Sequence, residues 1–350
     1  MNKNLIALAV AAATFSGAAS AATVYSDDTS SLAIGGRIEA RALGLNGNIQ
    51  DISRARINID GQTKINDDLT AIGFFEHEFK TDQSATDGEH NDSNSADGET
   101  DYNRYLYVGV KSNTYGQLVY GKADGSLGMI TDFTDIMENF GAEASNKIAA
   151  ADRTTNNLAY TGVFGGLTVK TNYVANGKTD DSQNNTTGFS VATKYDFNNG
   201  LAAGIGYGQQ KNQDVNNLTA KQAFASTSYT LGNLYVAGLY QYAKNVGYQY
   251  SHNDASNQDN TYQGFSLASS YTINKVVLRS TYNFMENTDS KIKMANALDF
   301  DATYFLTSNF RTYAGYTINL LNKTDATKIS AVPTAIQYDD QFILGARYDF

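Results

Sequence analysis

The chain has 350 residues, with 26 Lys and Arg against 36 Asp and Glu, a formal charge of −10, no cysteine and a single proline, Pro333. The acidic balance argues against a nucleic-acid partner, and without cysteine the fold rests on packing and backbone pairing alone. No stretch beyond the N-terminus offers the ~18 consecutive apolar residues of a helical membrane span, and one proline suits long strands whose every N–H is needed in a ladder.

In chain order, the first residues read as an export signal. Lys3 gives a positive start, Leu5 to Ala13 is an uncharged apolar run, and Ala19-Ser20-Ala21 is a small-residue cleavage site. The expected division is a cleaved signal peptide over 1–21 and one domain over 22–350. A period of two then sets in, the signature of a strand with two unlike faces. Leu32, Ile34, Gly36, Ile38 and Ala40 oppose Arg37, Glu39 and Arg41. Ala55, Ile57, Ile59 and Gly61 oppose Arg54, Arg56, Asn58 and Asp60, while Leu69, Ala71, Gly73, Phe75 and Phe79 oppose Glu76 and Glu78. The same parity sets Arg104 inward and turns Tyr105 and Tyr107 outward. Later segments repeat the pattern, from Leu167/Val169/Tyr173 through Phe310/Ala314/Tyr316/Ile318.

Sixteen such segments fit the chain, each with its connection taking roughly 20 residues against about 9–11 for a transmembrane β-strand. Short turns at Asn66-Asp67-Asp68, Asn198-Asn199-Gly200 and Leu231-Gly232-Asn233 interleave with long polar connections near 82–101, 178–186, 211–220, 247–260 and 322–337. That rhythm is expected of a barrel with short turns at one end and long loops at the other. A closed barrel also explains both faces, since lipid takes the apolar side chains and lumenal water the charged ones. The 24 tyrosines suit a membrane–water boundary.

Between Lys122 and Ala151 the alternation fails. Leu127, Ile130, Phe133, Ile136, Met137 and Phe140 make this segment too apolar for an exposed loop, so it is expected to fold inward onto the wall. Asp132, Asp135 and Glu138 lie three apart and would share one side of a helical turn. At the C-terminus, Phe342, Leu344, Ala346, Tyr348 and Phe350 alternate with more polar residues, as in the terminal strand that bacterial barrels present to their assembly machinery.

The resemblance is to the general, non-specific porins of Gram-negative bacteria, along essentially the whole length after the signal. "SRARINIDGQTKINDDLTAIGFFEHEF" (Ser53 to Phe79) resembles their second and third strands, and "YGQLVYGK" (Tyr115 to Lys122) the strand leading to the third loop. "TDIMENFG" (Thr134 to Gly141) resembles the constriction-loop motif, usually written with Pro-Glu-Phe-Gly. The resemblance implies an all-β, 16-stranded antiparallel transmembrane β-barrel with an inward-folded third loop. It also implies a homotrimer in the outer membrane, contact with lipid and lipopolysaccharide, and passive diffusion of ions and small hydrophilic solutes. Acidic groups on the loop would face arginines on the wall. Asp135 falls on the family's acidic position, Glu138 on its proline and Asn139 on its glutamate, so the second acid is displaced by one residue. Arg37, Arg56 and Arg104 match basic positions, and Arg153 is assigned by resemblance alone. Glu76 is a further lumenal candidate, and Asp132 joins by its spacing.

Opposed carboxylates and guanidinium groups would set a transverse field that orders water and favours polar solutes. Catalysis is not expected. His77 shares parity with Phe75 and Phe79, while His90 and His252 lie in polar loops, so no activated nucleophile or zinc site is suggested. No cofactor is expected. The alternatives are a sugar-type channel, for which only Phe74 and Tyr313 look inward, and a non-channel barrel acting as adhesin or receptor.

Overall fold

The computed structural model describes residues 21–45, 47–81, 101–179, 182–212, 219–246, 260–322 and 339–350. Residues 1–20, nearly all of the expected signal stretch over 1–21, and most of the long polar connections, with His90, His252 and Pro333, lie outside the described residues. In chain order the strands are β1 (Ala22–Ser26), β2 (Ser30–Leu45), β3 (Asn48–Asp51), β4 (Arg54–Lys64), β5 (Leu69–Lys80), β6 (Asp101–Ser112), β7 (Gly116–Ala123), β8 (Thr154–Phe164) and β9 (Leu167–Thr179). They continue with β10 (Ser182–Asp196), β11 (Leu201–Asn212), β12 (Thr219–Leu231), β13 (Leu234–Lys244), β14 (Thr261–Ile273), β15 (Val276–Asn287), β16 (Ile292–Phe305), β17 (Phe310–Asn319) and β18 (Gln341–Asp349).

Each strand pairs antiparallel with the next, and β18 returns to β2, so the sheet closes. Two short strands add no stave of their own. β3 and β4 follow one another along one side of β2, with Leu45 opposite Asn48 and Glu39 opposite Arg54. β18 and β1 follow one another along its other side. Asp349 lies opposite Arg37, Phe350 exchanges backbone hydrogen bonds of 2.8 and 3.0 Å with Gly36, and Ala22 lies opposite Ile34. The result is a closed antiparallel barrel of 16 staves, as the alternation predicts. The predicted short turns fall where expected, with Asn198 (φ 58°) and Gly232 (φ 59°) in the left-handed region that such turns require.

The faces follow the predicted parity. Ile38, Ile57, Tyr240, Leu278 and Leu344 are exposed on the outside, and Glu39, Arg54, Arg56, Asn58, Glu76 and Glu78 are buried on the lumenal side. One prediction fails. Tyr105 and Tyr107 do not turn outward. His77 pairs with Asn103 but Glu76 pairs with Tyr105, so the ladder skips Arg104. This β-bulge puts Arg104 and Tyr105 on the same lumenal side, and the exposed outer series resumes at Leu106, Val108 and Val110. A bulge flips the parity beyond it, and the alternation read from sequence carried no mark of it.

The segment between β7 and β8 makes its contacts with the side chains opposite the exposed apolar face. Its outward run is held by Ser226 Oγ donating to the Ile130 carbonyl (2.9 Å) and Tyr235 OH to that of Phe133 (2.7 Å). On the return, Gln222 takes the Ile148 N–H (2.8 Å) and gives to the Asn146 carbonyl (2.7 Å), and Gln210 takes the Ala150 N–H (2.8 Å). Gln241 donates to the Ala144 carbonyl. Irregular backbone is thus satisfied by wall side chains. Leu127, Ile130 and Ile148 join one buried apolar cluster with Phe224, Leu239 and Met285, and Phe140 joins a second with Leu43, Ile52, Tyr313 and Ile343. The expected helical turn over 132–138 is absent. The helix is one turn, Gly128–Thr131, followed by turns and bends, so Asp132, Asp135 and Glu138 share no helical face.

Glycines on the lumenal side of β11 make room for this segment. A Cβ at Gly206 would sit 2.6 Å from Leu127 Cδ2, and one at Gly204 2.8 Å from Ile130 Cδ1. Replacing Gly206 with valine should therefore cost ~1–3 kcal/mol of docking energy and lift 127–130 from the wall. Limited proteolysis of the folded barrel should then cut this segment faster than in the parent. Equal rates would show that the glycine stripe is not what seats it.

Candidate functional site: the charged lumen

The alternation delivers a dense charge array on the lumenal side of β2, β4, β5 and β6. Glu39, almost fully buried, is its hub. Arg54 Nε donates to Glu39 Oε2 at 2.8 Å, Arg37 and Arg41 approach within 3.7 and 4.0 Å, and Tyr313 OH donates to Oε1 at 2.8 Å. Arg56 pairs with Glu78, and Arg104 pairs with Glu76 at 2.8 Å while standing 3.8 Å from Glu78. Five arginines thus face three glutamates, a surplus of two positive charges. Cross-strand register sets these neighbours, for Arg37 lies opposite Arg56, and Arg56 opposite Glu78. Arg153, at the end of the segment before β8, lies with its guanidinium carbon 5.4 Å over the Tyr105 ring.

Of the predicted residues, Arg37, Arg56, Arg104 and Glu76 come together in this array, with Arg153 at its margin. Asp132 and Asp135 are exposed on the segment between β7 and β8. Glu138 goes elsewhere. Its carboxylate lies 3.6 Å from Arg279 and 3.5 Å from Arg311, and its backbone N–H donates to Asp301 at 2.9 Å. Arg279 in turn donates to Asp301 at 2.9 Å. It is Asn139, at the motif's glutamate position, that touches the arginine array, accepting from Arg41 Nη1 at 3.1 Å. Sequence reading singled out none of Arg41, Arg54, Glu39, Glu78, Arg279, Arg311 or Asp301 as site residues. All lie on polar parity, so the same alternation contained them, but parity gives a face and not a partner.

The return run carries a carboxyl pair. Glu143 accepts from the Gly141 N–H (3.0 Å) and from Asn283 Nδ2 (2.8 Å), which also donates to Asp299 (3.1 Å). Burial pushes the Glu143 carboxyl up to about 8 and the facing Asp299 reinforces it, against the two backbone N–H groups that favour the ionised form. Its ordinary value is 4.5, so the docked loop holds this proton more tightly than a detached one. Docking is then strongest below the ordinary glutamate value and weakens as pH rises through the window up to about 8. Proteolysis of the segment should accelerate between pH 5 and pH 9, and Glu143→Gln, which stays neutral, should abolish that dependence. A pH-independent parent would refute this role for the Glu143 proton.

Comparison with known proteins agrees with this geometry. A family model described as Gram-negative porin matches residues 7–323. The chain is 46% identical to porin-like protein L of Photobacterium profundum and 38% identical to outer membrane protein U of Vibrio parahaemolyticus, with both partners covered in full each time. OmpF of Salmonella typhi, solved in complex with daunomycin, shares 22% identity at a TM-score of 0.78, over 94% of this chain and 100% of that one. The trimer form of OmpT of Vibrio cholerae shares 19% at 0.70, over 92% and 100%. A closed 16-stave wall with an apolar exterior, a charged interior and this kinship mean that the chain belongs to the Gram-negative porins, which form channels across the outer membrane.

Proposed function

We infer that the segment between β7 and β8 is the third loop, folded into the lumen, and that the channel's constriction lies between it and the arginine array. Ions and small hydrophilic solutes pass there by diffusion. The observation that carries this reading is where the loop is tied. Its outward run is held by β12 and β13, which stand eight staves round a ring of 16 from β4 and β5. Asp132 and Asp135 therefore start from the side opposite Arg56 and Arg104, and a transverse field follows. Glu138 belongs to the loop's attachment and Asn139 to its tip. The role is passage without catalysis. His77, the histidine among the described residues, stands on the outer side beside Phe75 and Phe79, with Nδ1 2.8 Å from Asn103.

The assembly we propose is a homotrimer, in keeping with the trimer form of the OmpT neighbour, with the remaining outer surface against lipid and lipopolysaccharide. Unheated protein should run in SDS gels as a band that collapses to the monomer on boiling, and bilayer currents should close in groups of three. A single step per insertion would leave the barrel monomeric.

Two substitutions test the field, and their signs are opposite. Asp135→Ala removes a loop acid and should move selectivity toward anions. Arg56→Ala removes the nearer of the two arginines beside Glu78 and should move it toward cations. One unit charge about 8 Å from the path in water contributes ~0.5 kcal/mol for each ion sign, so permeability ratios should change by up to about fivefold, less at high salt. Reversal potentials under a salt gradient read this directly. Unchanged potentials in both variants would remove these residues from the constriction.

A further inference from the structure

Three aromatic side chains interrupt the polar pattern of the lumenal face on β5 and β6. Phe74 stands cross-strand from Tyr107, with ring centroids 5.5 Å apart and planes tilted by 30°. Tyr105 meets Phe74 nearly edge-on at 5.8 Å. All three are half-exposed. None of the three belongs to the two apolar clusters that seat the loop, although the ends of that segment, at Asp124 and Arg153, reach Tyr105. Large apolar surface kept facing channel water points to something that covers it in passing.

A second observation comes from the bulge at Arg104. It gives up one ladder position, and in exchange Tyr105 faces the lumen instead of lipid, the kind of re-aiming for which bulges are used beside functional sites. The ring is then fixed in place. Its hydroxyl donates to the Asp124 carboxylate, 2.9 and 3.0 Å from the two oxygens, and Arg153 covers one of its faces. Polar groups frame the patch. Asp60 lies cross-strand from Phe74 and accepts from Gln62 at 3.2 Å. Along β5, Phe74 lies nearer the short turn at 65–68 than the Glu76 and Glu78 carboxylates do. A solute that has passed the charged array from the long-loop end meets these rings next.

We propose that Phe74, Tyr105 and Tyr107 form a stacking platform for pyranose sugars in transit. A pyranose has an apolar C–H face that lies on aromatic rings and a rim of hydroxyls that exchange hydrogen bonds with Asp60 and Gln62. Ions and acyclic polyethers lack that face. Binding at such an open patch is weak, as conduction requires. The proposal rests on the lumen being the path of solutes, and its test separates the two.

The experiment compares maltotriose with a polyethylene glycol of matched hydrodynamic size, each added at millimolar concentration to the intact protein in a planar bilayer. Maltotriose should interrupt the current in brief, concentration-dependent events, whereas the polyether should only lower the open current smoothly. Phe74→Leu with Tyr107→Leu keeps apolar bulk but removes the rings. It should weaken the sugar block about tenfold and leave the open current and the heat-modifiable band as they were. Should the pair fail to fold, Phe74→Leu alone should weaken it about threefold. Ohmic currents with no sugar events, or with events untouched by the substitutions, overturn the platform and leave the channel standing. Folded protein that gives no current overturns the channel and the platform with it.

Discussion

In hydrocarbon an unpaired backbone N–H or C=O costs several kcal/mol, so a sheet that crosses a bilayer must have no edge. Everything else in this molecule follows from meeting that condition. An even number of antiparallel staves lets the last strand run correctly beside the first. Even so, β18 pairs with β2 only up to Arg37, which would leave the far end of β2 bare. The short strand β1 fills that gap, pairing from Ile34 to Ser31. The wall is complete because β1 and β18 share one stave.

Closure at 16 staves leaves a lumen wider than its wall side chains fill. The segment between β7 and β8, which we place in that lumen, is irregular backbone with polar groups of its own to satisfy. Here the wall's polar parity serves a second purpose. Gln210, Gln222, Gln241, Ser226 and Tyr235 take up loop carbonyls and N–H groups that no ladder reaches. Between these bonds, glycines on β11 let Leu127 and Ile130 sit against the backbone. The loop is therefore held by many separated contacts of modest strength, not by one lock. The proton that buried Glu143 retains makes one of those contacts conditional on pH.

The barrel was legible because its signal repeats: a period of two, renewed in every strand, fixes face and register at once. Arg37, Arg56 and Glu76 followed from that rule alone. Tyr105 did not, because a bulge is a local slip that alternation cannot register, and the slip put Arg104 and Tyr105 on one side. The glycines at 204, 206 and 208 were in view as the polar parity of a strand, yet their meaning needed the loop's Leu127 opposite them. Glu138 was read by its place in a motif. Its partners, Arg279 and Arg311, are more than a hundred residues away in sequence, and only the closed ring brings them to the loop.

The glutamates between the arginines settle how the array works. Arg37, Arg54 and Arg56 occupy adjoining positions on two strands, and alone they would repel and splay. Glu39 and Glu78 hold them upright and cancel much of their charge. In the constriction we propose, a passing ion meets not five full cations but a small positive surplus on fixed side chains, opposite the exposed Asp132 and Asp135. A weak field of fixed direction orients a polar solute without trapping it. Full ionic attraction in so narrow a space would bind ions instead of conducting them. On the constriction we propose, the paired carboxylates on the arginine side are thus as necessary to passage as the loop acids across from them.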